Sequence, residues 1–174
     1  MQALFKRMED NHRFGVTEHH GQGGELSVSE LKTVNPLSRD FVRAGGEFQI
    51  PCNGDFNGDS QEGLGLYQVT QKNGRRWSSA QAFLRGAEKR SNLEILADAR
   101  VTRVVIDDKT ATGVTLRQGT EYRQLRLNPG GEVILSGGAV NSPQLLLLSG
   151  IGDARASKEK GIPVVHHLPE VGKN

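Results

Sequence analysis

From Leu66 onward the chain alternates apolar and polar positions in short runs; ahead of it the apolar residues recur at wider spacing. In QALFKRMED (2–10), Leu4, Phe5 and Met8 fall three and four apart, the spacing of one helical face. PLSRDFVRAGG (36–46) follows a break at Asn35-Pro36 and ends in a glycine pair, which predicts a second helix. Between these two, HHGQGGELSVSEL predicts a glycine-rich turn leading into a short extended piece at Leu26–Val28. GEFQIPCNGDFNGDSQEGLG is crowded with turn formers and predicts loop.

LYQVTQKNGRRW predicts a strand, an Asn73-Gly74 turn and a returning strand. Ser78 or Ser79 is placed to cap a helix over AQAFLRGAEKR, with Lys89 and Arg90 at the end where the helix dipole favours cations. LEILAD, VTRVVID, ATGVTLRQG and YRQLRLN predict short extended segments. The alternation of Val101, Arg103 and Val105, and of Val114 and Leu116, suits antiparallel strands with one wet face. GGEVILSGG breaks that rule. Val133, Ile134 and Leu135 are consecutive, the pattern of a strand covered on both faces, as in a parallel sheet. A helix is predicted next, with Ser142 as N-cap, Pro143 in the first helical position and Gly150 just past the end. Its leucines, Leu145 to Leu148, point to every side and imply burial all round. GIPVVHHLPEVGKN predicts a strand and a proline-containing exit. The pattern as a whole is α/β, or α+β if the chain stands by itself.

Composition narrows the function classes without choosing one. With 174 residues, 35% hydrophobic and a formal charge of +2, the chain can build one domain or two small lobes. No Lys/Arg stripe marks a nucleic-acid or acidic-membrane surface, and aromatic residues are too scarce for a base-stacking platform. The charged N-terminal stretch reads as neither signal peptide nor membrane span, and the apolar block at 145–148 is too short to cross a bilayer. Cys52 is the one cysteine, expected as a small, partly buried hydrophobe in a reducing compartment. Cytoplasmic location is expected, with peripheral membrane association left open.

Several chemistries can be tested against spacing. DFNGDSQEG places Asp55, Asn57 and Asp59 at alternate positions, as a calcium loop does. Ser60 stands where that loop needs glycine, and Leu66 where it needs Glu. The pairs His19-His20 and His166-His167 have no Cys or carboxylate at ligand spacing, so solvated loops are expected and no metal site. There is no GxSxG. Gly63-x-Gly65 and Gly21-x-Gly23 lack the third glycine of a dinucleotide fingerprint, at Gln68 and Leu26 respectively. What remains is the unit at 132–150, where Ser136-Gly137-Gly138 brings bare backbone to a sheet edge. Nucleotides lie at such edges in doubly wound folds, and a tight turn without ligand is an equal reading of the same residues.

At these residues the chain resembles the glucose-methanol-choline (GMC) family of FAD-dependent alcohol oxidoreductases. The family's second signature matches at Gly138, Ala139, Ser142, Pro143, Leu145, Leu146, Ser149, Gly150, Ile151 and Gly152, without departure. HHGQGG (19–24), DFNG (55–58), QEGLGLYQVTQKNGRRWSSAQAFL (61–84) and NLEILADARVTRV (92–104) resemble further family pieces in the family's order. The similarity is strongest to the choline and bacterial alcohol dehydrogenase branch.

The resemblance implies a middle portion of a larger enzyme that oxidises a primary, choline-like alcohol to the aldehyde by hydride transfer to flavin. Residues 1–75 would belong to a substrate-domain or interdomain part. Residues 76–174 would belong to a Rossmann-like FAD-binding domain with an antiparallel meander. The N-terminal GxGxxG unit and the catalytic His of the family would lie outside the chain. By the same resemblance, Val101 would meet the FAD adenine through its backbone, and Ser136, Gly137 and Gly138 would pack beside the ADP half. No catalytic residue is expected among the 174, and the isolated chain is expected to be inactive and to bind FAD weakly at best. A small-molecule alcohol is the expected partner of the whole enzyme, with contact to an electron acceptor or a membrane left open. A hydroxynitrile lyase on the same scaffold, or a non-enzymatic binding or assembly module, stand as alternatives.

Overall fold

A computed structural model describes residues 1–173. The backbone forms two compact units, Met1–Glu94 and Ile95–Asn174. Both mix helix and strand.

The first unit opens with helix α1 (Gln2–Met8), shorter than the apolar spacing predicted, followed by strand β1 (Glu9–Asn11). β1 pairs in parallel with β2 (Leu26–Val28), the segment expected from the sequence. Helix α2 (Pro36–Glu47) starts where Asn35 accepts the Leu37 N–H through its side chain, with Pro36 in the first turn. β3 (Gln71–Lys72) and β4 (Arg75–Arg76) form the expected hairpin; Asn73 and Gly74 both take positive φ, the geometry of a two-residue type I′ turn. A short π-helical turn (Ala80–Leu84) then runs into helix α3 (Arg85–Ala87). Neither Ser78 nor Ser79 caps it through a side chain, and Lys89 and Arg90 lie beyond its end. Among the described residues, every buried side chain of this unit is polar: Asn11, His20 and Ser27. Hydrogen bonds, rather than an apolar core, therefore fix its centre.

The second unit is built on an antiparallel meander, β5 (Ala99–Asp107), β6 (Thr110–Gln118) and β7 (Glu121–Arg126), in the order β5-β6-β7. Val104 and Leu116, the buried apolar side chains, come from its first two strands, each stabilising the unit by about 1.5–3 kcal/mol. The register shifts between Val101 and Arg103, leaving Thr102 without a partner on β6. This bulge breaks the alternation read from Val101, Arg103 and Val105: Val101 opposes Leu116 and Val104 opposes Val114, so Val101 and Val104 share a face. Residues 93–96 of LEILAD carry no strand. Helix α4 (Gly138–Leu148) packs beside β5, then β8 (Ile151–Gly152) pairs in parallel with β9 (His166–His167), and helix α5 (Ala154–Glu159) lies between them in sequence.

Three expectations for 132–150 are corrected. Val133–Leu135 is not a strand, and Ile134 is 80% exposed, because no described segment offers that stretch a ladder of backbone hydrogen bonds. Ser142 is not the N-cap of α4, and Pro143 lies inside it. The helix starts at the glycine pair instead, and the Ser142 hydroxyl reaches back to accept the Gly137 N–H at 2.9 Å. The leucines are half-buried rather than enclosed, with Leu148 exposed. Gly150 is past the end as expected, at φ +86, and a Cβ there would also collide with the Pro163 carbonyl oxygen. Cys52 is exposed, not partly buried.

Candidate functional site

A cleft of about 860 Å³ in the second unit opens between the upstream half of β5 and the segment leading into α4. Val101, Ser136 and Gly137, separated by up to 36 positions in sequence, all line it. Gly138 does not line it. β5 is the sheet's edge strand, so one rim of its backbone is unpaired by β6. Further along that rim, the Val104 N–H points outward and donates to Ser149 Oγ at 2.8 Å. The same hydroxyl donates to the Leu145 carbonyl at 2.6 Å, so one buried serine ties helix α4 to the edge strand.

The two glycines at the cleft have different reasons to be glycine. Gly138 sits at φ +82 with nothing within 4 Å of where a Cβ would be, so backbone conformation selects it. Gly137 has negative φ, but a Cβ there would press on Asn141 at 3.1 Å. Val101 is 38% exposed at the bulge. Apolar surface comes from Ile134 and Leu148, and charge from Arg100 and Arg117. These two arginines are register partners across β5 and β6, and no carboxylate pairs with either among the described residues. Like charges directly opposite in a sheet repel, so an anion in the cleft relieves them.

The first unit holds a constellation that the sequence reading missed. His20 is buried at 2% exposure, not in a solvated loop, and does have carboxylate partners. Its Nδ1 lies 3.1 Å from Glu9 Oε1 and its Nε2 lies 2.9 Å from Asp55 Oδ2. Asn11 donates through Nδ2 to Glu9 and to Gln68, and its Oδ1 accepts the Arg13 and Phe14 N–H groups. Phe14 stacks on the His20 ring at 4.9 Å. With carboxylates on both ring nitrogens, an imidazolium satisfies the geometry. Burial opposes that charge, yet the hydrogen bonds to Asp55 and Glu9, and their negative charges, outweigh it and hold His20 above its ordinary pKa. Burial likewise opposes ionisation of Asp55, but His20 and the Asn57 N–H hold its carboxyl below the usual value. The partners stand 11 and 35 positions from His20, and only chain closure brings them together. The nearest hint in the sequence is that HHGQGG and DFNG are each glycine-rich and polar. His19 pairs with Asp59 at 2.9 Å, while His167 Nδ1 accepts the Ala154 N–H at 3.1 Å.

Among the described residues, no helix is long and apolar enough to cross a membrane. The family model described as GMC oxidoreductase matches residues 1–174. The chain is 56% identical over 172 residues to alcohol dehydrogenase [acceptor] of Pseudomonas putida, covering 99% of this chain and 31% of that protein. It is 44% identical over 169 residues to mitochondrial choline dehydrogenase of Homo sapiens, covering 97% and 28%. The fold superposes on the crystal structure of pyridoxine 4-oxidase from Mesorbium loti with a TM-score of 0.86 at 27% identity, covering 97% of this chain and 33% of that one. The chain thus spans about a third of the length of the curated relatives it matches. With the signature around α4, the meander and a family match along the full sequence all in agreement, the chain belongs to the GMC oxidoreductase family.

Proposed function

We propose that this chain is the part of an FAD-dependent alcohol oxidoreductase that receives the adenosine end of the cofactor, in an enzyme oxidising a primary, choline-like alcohol to the aldehyde. The observation that carries the reading is the cleft in the second unit, which gathers Val101, Ser136 and Gly137 around one open space. Its residues fit an adenine nucleotide. The unpaired rim of β5 offers peptide groups to a purine edge, while Ile134 and Leu148 offer apolar cover for its face. Gly137 brings bare backbone to the cleft, and Arg100 and Arg117 favour a ligand carrying negative charge. Gly138 contributes by setting the backbone turn, not by contact.

When bound, the flavin supplies the acceptor for the hydride that leaves the carbinol carbon. This chain's residues bind and orient the far end of that cofactor. None of them is assigned a proton transfer. Residues 1–75 then belong to the substrate-side part and 76–174 to the FAD-binding part. The names of the relatives, an alcohol and a choline dehydrogenase, favour the redox reading over the lyase and the binding-module alternatives.

A chimera tests the reading. This chain replaces the matched 172-residue segment of the P. putida alcohol dehydrogenase. The expected product is a yellow protein that oxidises primary alcohols with an artificial electron acceptor, while the 174-residue chain alone turns over nothing. Gly137→Val in the chimera should weaken flavin retention about tenfold or more, equivalent to about 1.4 kcal/mol. A folded chimera without flavin, or one indifferent to Gly137→Val, would overturn the assignment.

A further inference from the structure

The first unit has a cleft of its own. It has a volume of about 510 Å³, within the range of small-molecule sites, and is lined by Lys72, Arg75, Arg76, Trp77 and Arg85, with the amides of Asn73 and Gln81. Its charge is one-sided. Lys72 and Arg75 are direct register partners in the β3–β4 hairpin, a like-charge pair that disfavours the ladder holding them. Arg76 follows on the same strand, and Arg85 approaches from α3. Lys32 adds a fifth cation beside the turn, its Nζ 3.5 Å from where a Cβ on Gly74 would lie.

Three arginines elsewhere are paired, Arg13 with Glu30, Arg43 with Asp40 and Arg155 with Glu159. No carboxylate lines this cleft, and none of its cations forms an ion pair among the described residues. The cluster is nevertheless held in place. Trp77 is anchored by its indole N–H, which donates to the Glu25 carbonyl at 2.8 Å, and Lys72 Nζ rests 5.1 Å from the ring centroid. The type I′ turn fixes the hairpin arms on which Lys72, Arg75 and Arg76 stand.

We propose that this cleft is a binding site for a multiply charged anion of the phosphate type, held by the Arg75, Arg76 and Arg85 guanidinium groups with Lys72 at its edge. Guanidinium forks match phosphate oxygens in pairs, and several in one concavity select a polyanion over a single charge. A phosphate-type ligand suits the site better than an acidic polypeptide because the cations line a single cleft of about 510 Å³.

Trp77 is the chain's one tryptophan and lines the site, so its emission reports occupancy locally. The 174-residue chain is titrated with inorganic pyrophosphate at about 0.15 M salt, where longer-range attraction is screened. A saturable change in Trp77 emission, half-complete below about 1 mM, is expected. Arg75→Gln/Arg76→Gln should raise that midpoint about tenfold or more, and Arg43→Gln should leave it within about twofold. Should the double variant lose its fold by circular dichroism, the single variants make the same comparison. ADP as a second titrant distinguishes a nucleotide source from free phosphate, and either keeps the proposal. A non-saturating response, equal effects of the cleft and Arg43 variants, or tighter binding of a hexaglutamate peptide would overturn it.

Discussion

His20 is the residue whose environment departs furthest from what its neighbours in sequence suggest. Both ring nitrogens face carboxylates, Glu9 on one side and Asp55 on the other, with Asn11 and Phe14 completing the surround. Its folded pKa is raised above the ordinary 6.5, so its contribution to stability is fully present below 6.5 and is lost as pH rises through the folded value. Asp55 is lowered from an ordinary 3.8, so its contribution is present above 3.8 and lost as pH falls through its folded value. The first unit should therefore be most stable between these two ordinary values. Urea unfolding followed by Trp77 emission should show the midpoint falling as pH is taken from 6 to 9, and His20→Asn should flatten that fall. A midpoint that stays level in the parent chain, or falls equally in the variant, would contradict the arrangement. None of this was legible beforehand, because adjacent histidines without local partners look solvated and a pairing 35 positions away leaves no local spacing to read.

Elements whose signals are local were read well. β2, the β3–β4 hairpin and the meander rest on alternation and on Asn-Gly turn chemistry, which need only a few neighbouring residues. α4 was read with the wrong start because Ser142-Pro143 is a strong local N-terminal signal. The structure instead begins the helix at the glycine pair and uses Ser142 to hold the Gly137 N–H. At the other end of α4, Ser149 joins helix to sheet. It is buried at 1% exposure, and its hydroxyl serves the Val104 N–H and the Leu145 carbonyl together. Ser149→Ala leaves the Val104 N–H buried without an acceptor, at a cost of about 1–3 kcal/mol. Equilibrium unfolding of the second unit, followed by its strand circular dichroism, should register that loss. A change below about 0.5 kcal/mol would mean the bond contributes little.

At the scale of the whole molecule, protection from hydrogen exchange should map the difference between paired and unpaired backbone. Most residues of β5 and β6 are paired in a ladder broken at two register shifts, while 132–136 donate to no described backbone partner. Exchange measured on the 174-residue chain should be slow in the former and fast in the latter, with α4 between them. Uniform protection from 132 to 150 would show that Val133–Leu135 finds a strand partner after all. That segment also marks the limit of reading by pattern: three consecutive apolar residues state a preference for cover, but supplying the cover is the work of another strand. The candidate site was legible only through the resemblance, since Val101 by itself is an ordinary strand valine. Gly138, named with Gly137, proved to shape the turn without lining the cleft.

The unpaired Thr102 has one more consequence. By adding a residue to β5 and none to β6, it acts as a phase shifter within a single strand. Ahead of it, residues 99–102 line the open cleft; after it, Val104 closes the apolar interior against Leu116's strand. The two halves keep separate counts of inside and outside. Side chains at the cleft can therefore diverge between relatives, adjusting what is held there, while the interior a few residues downstream stays in step.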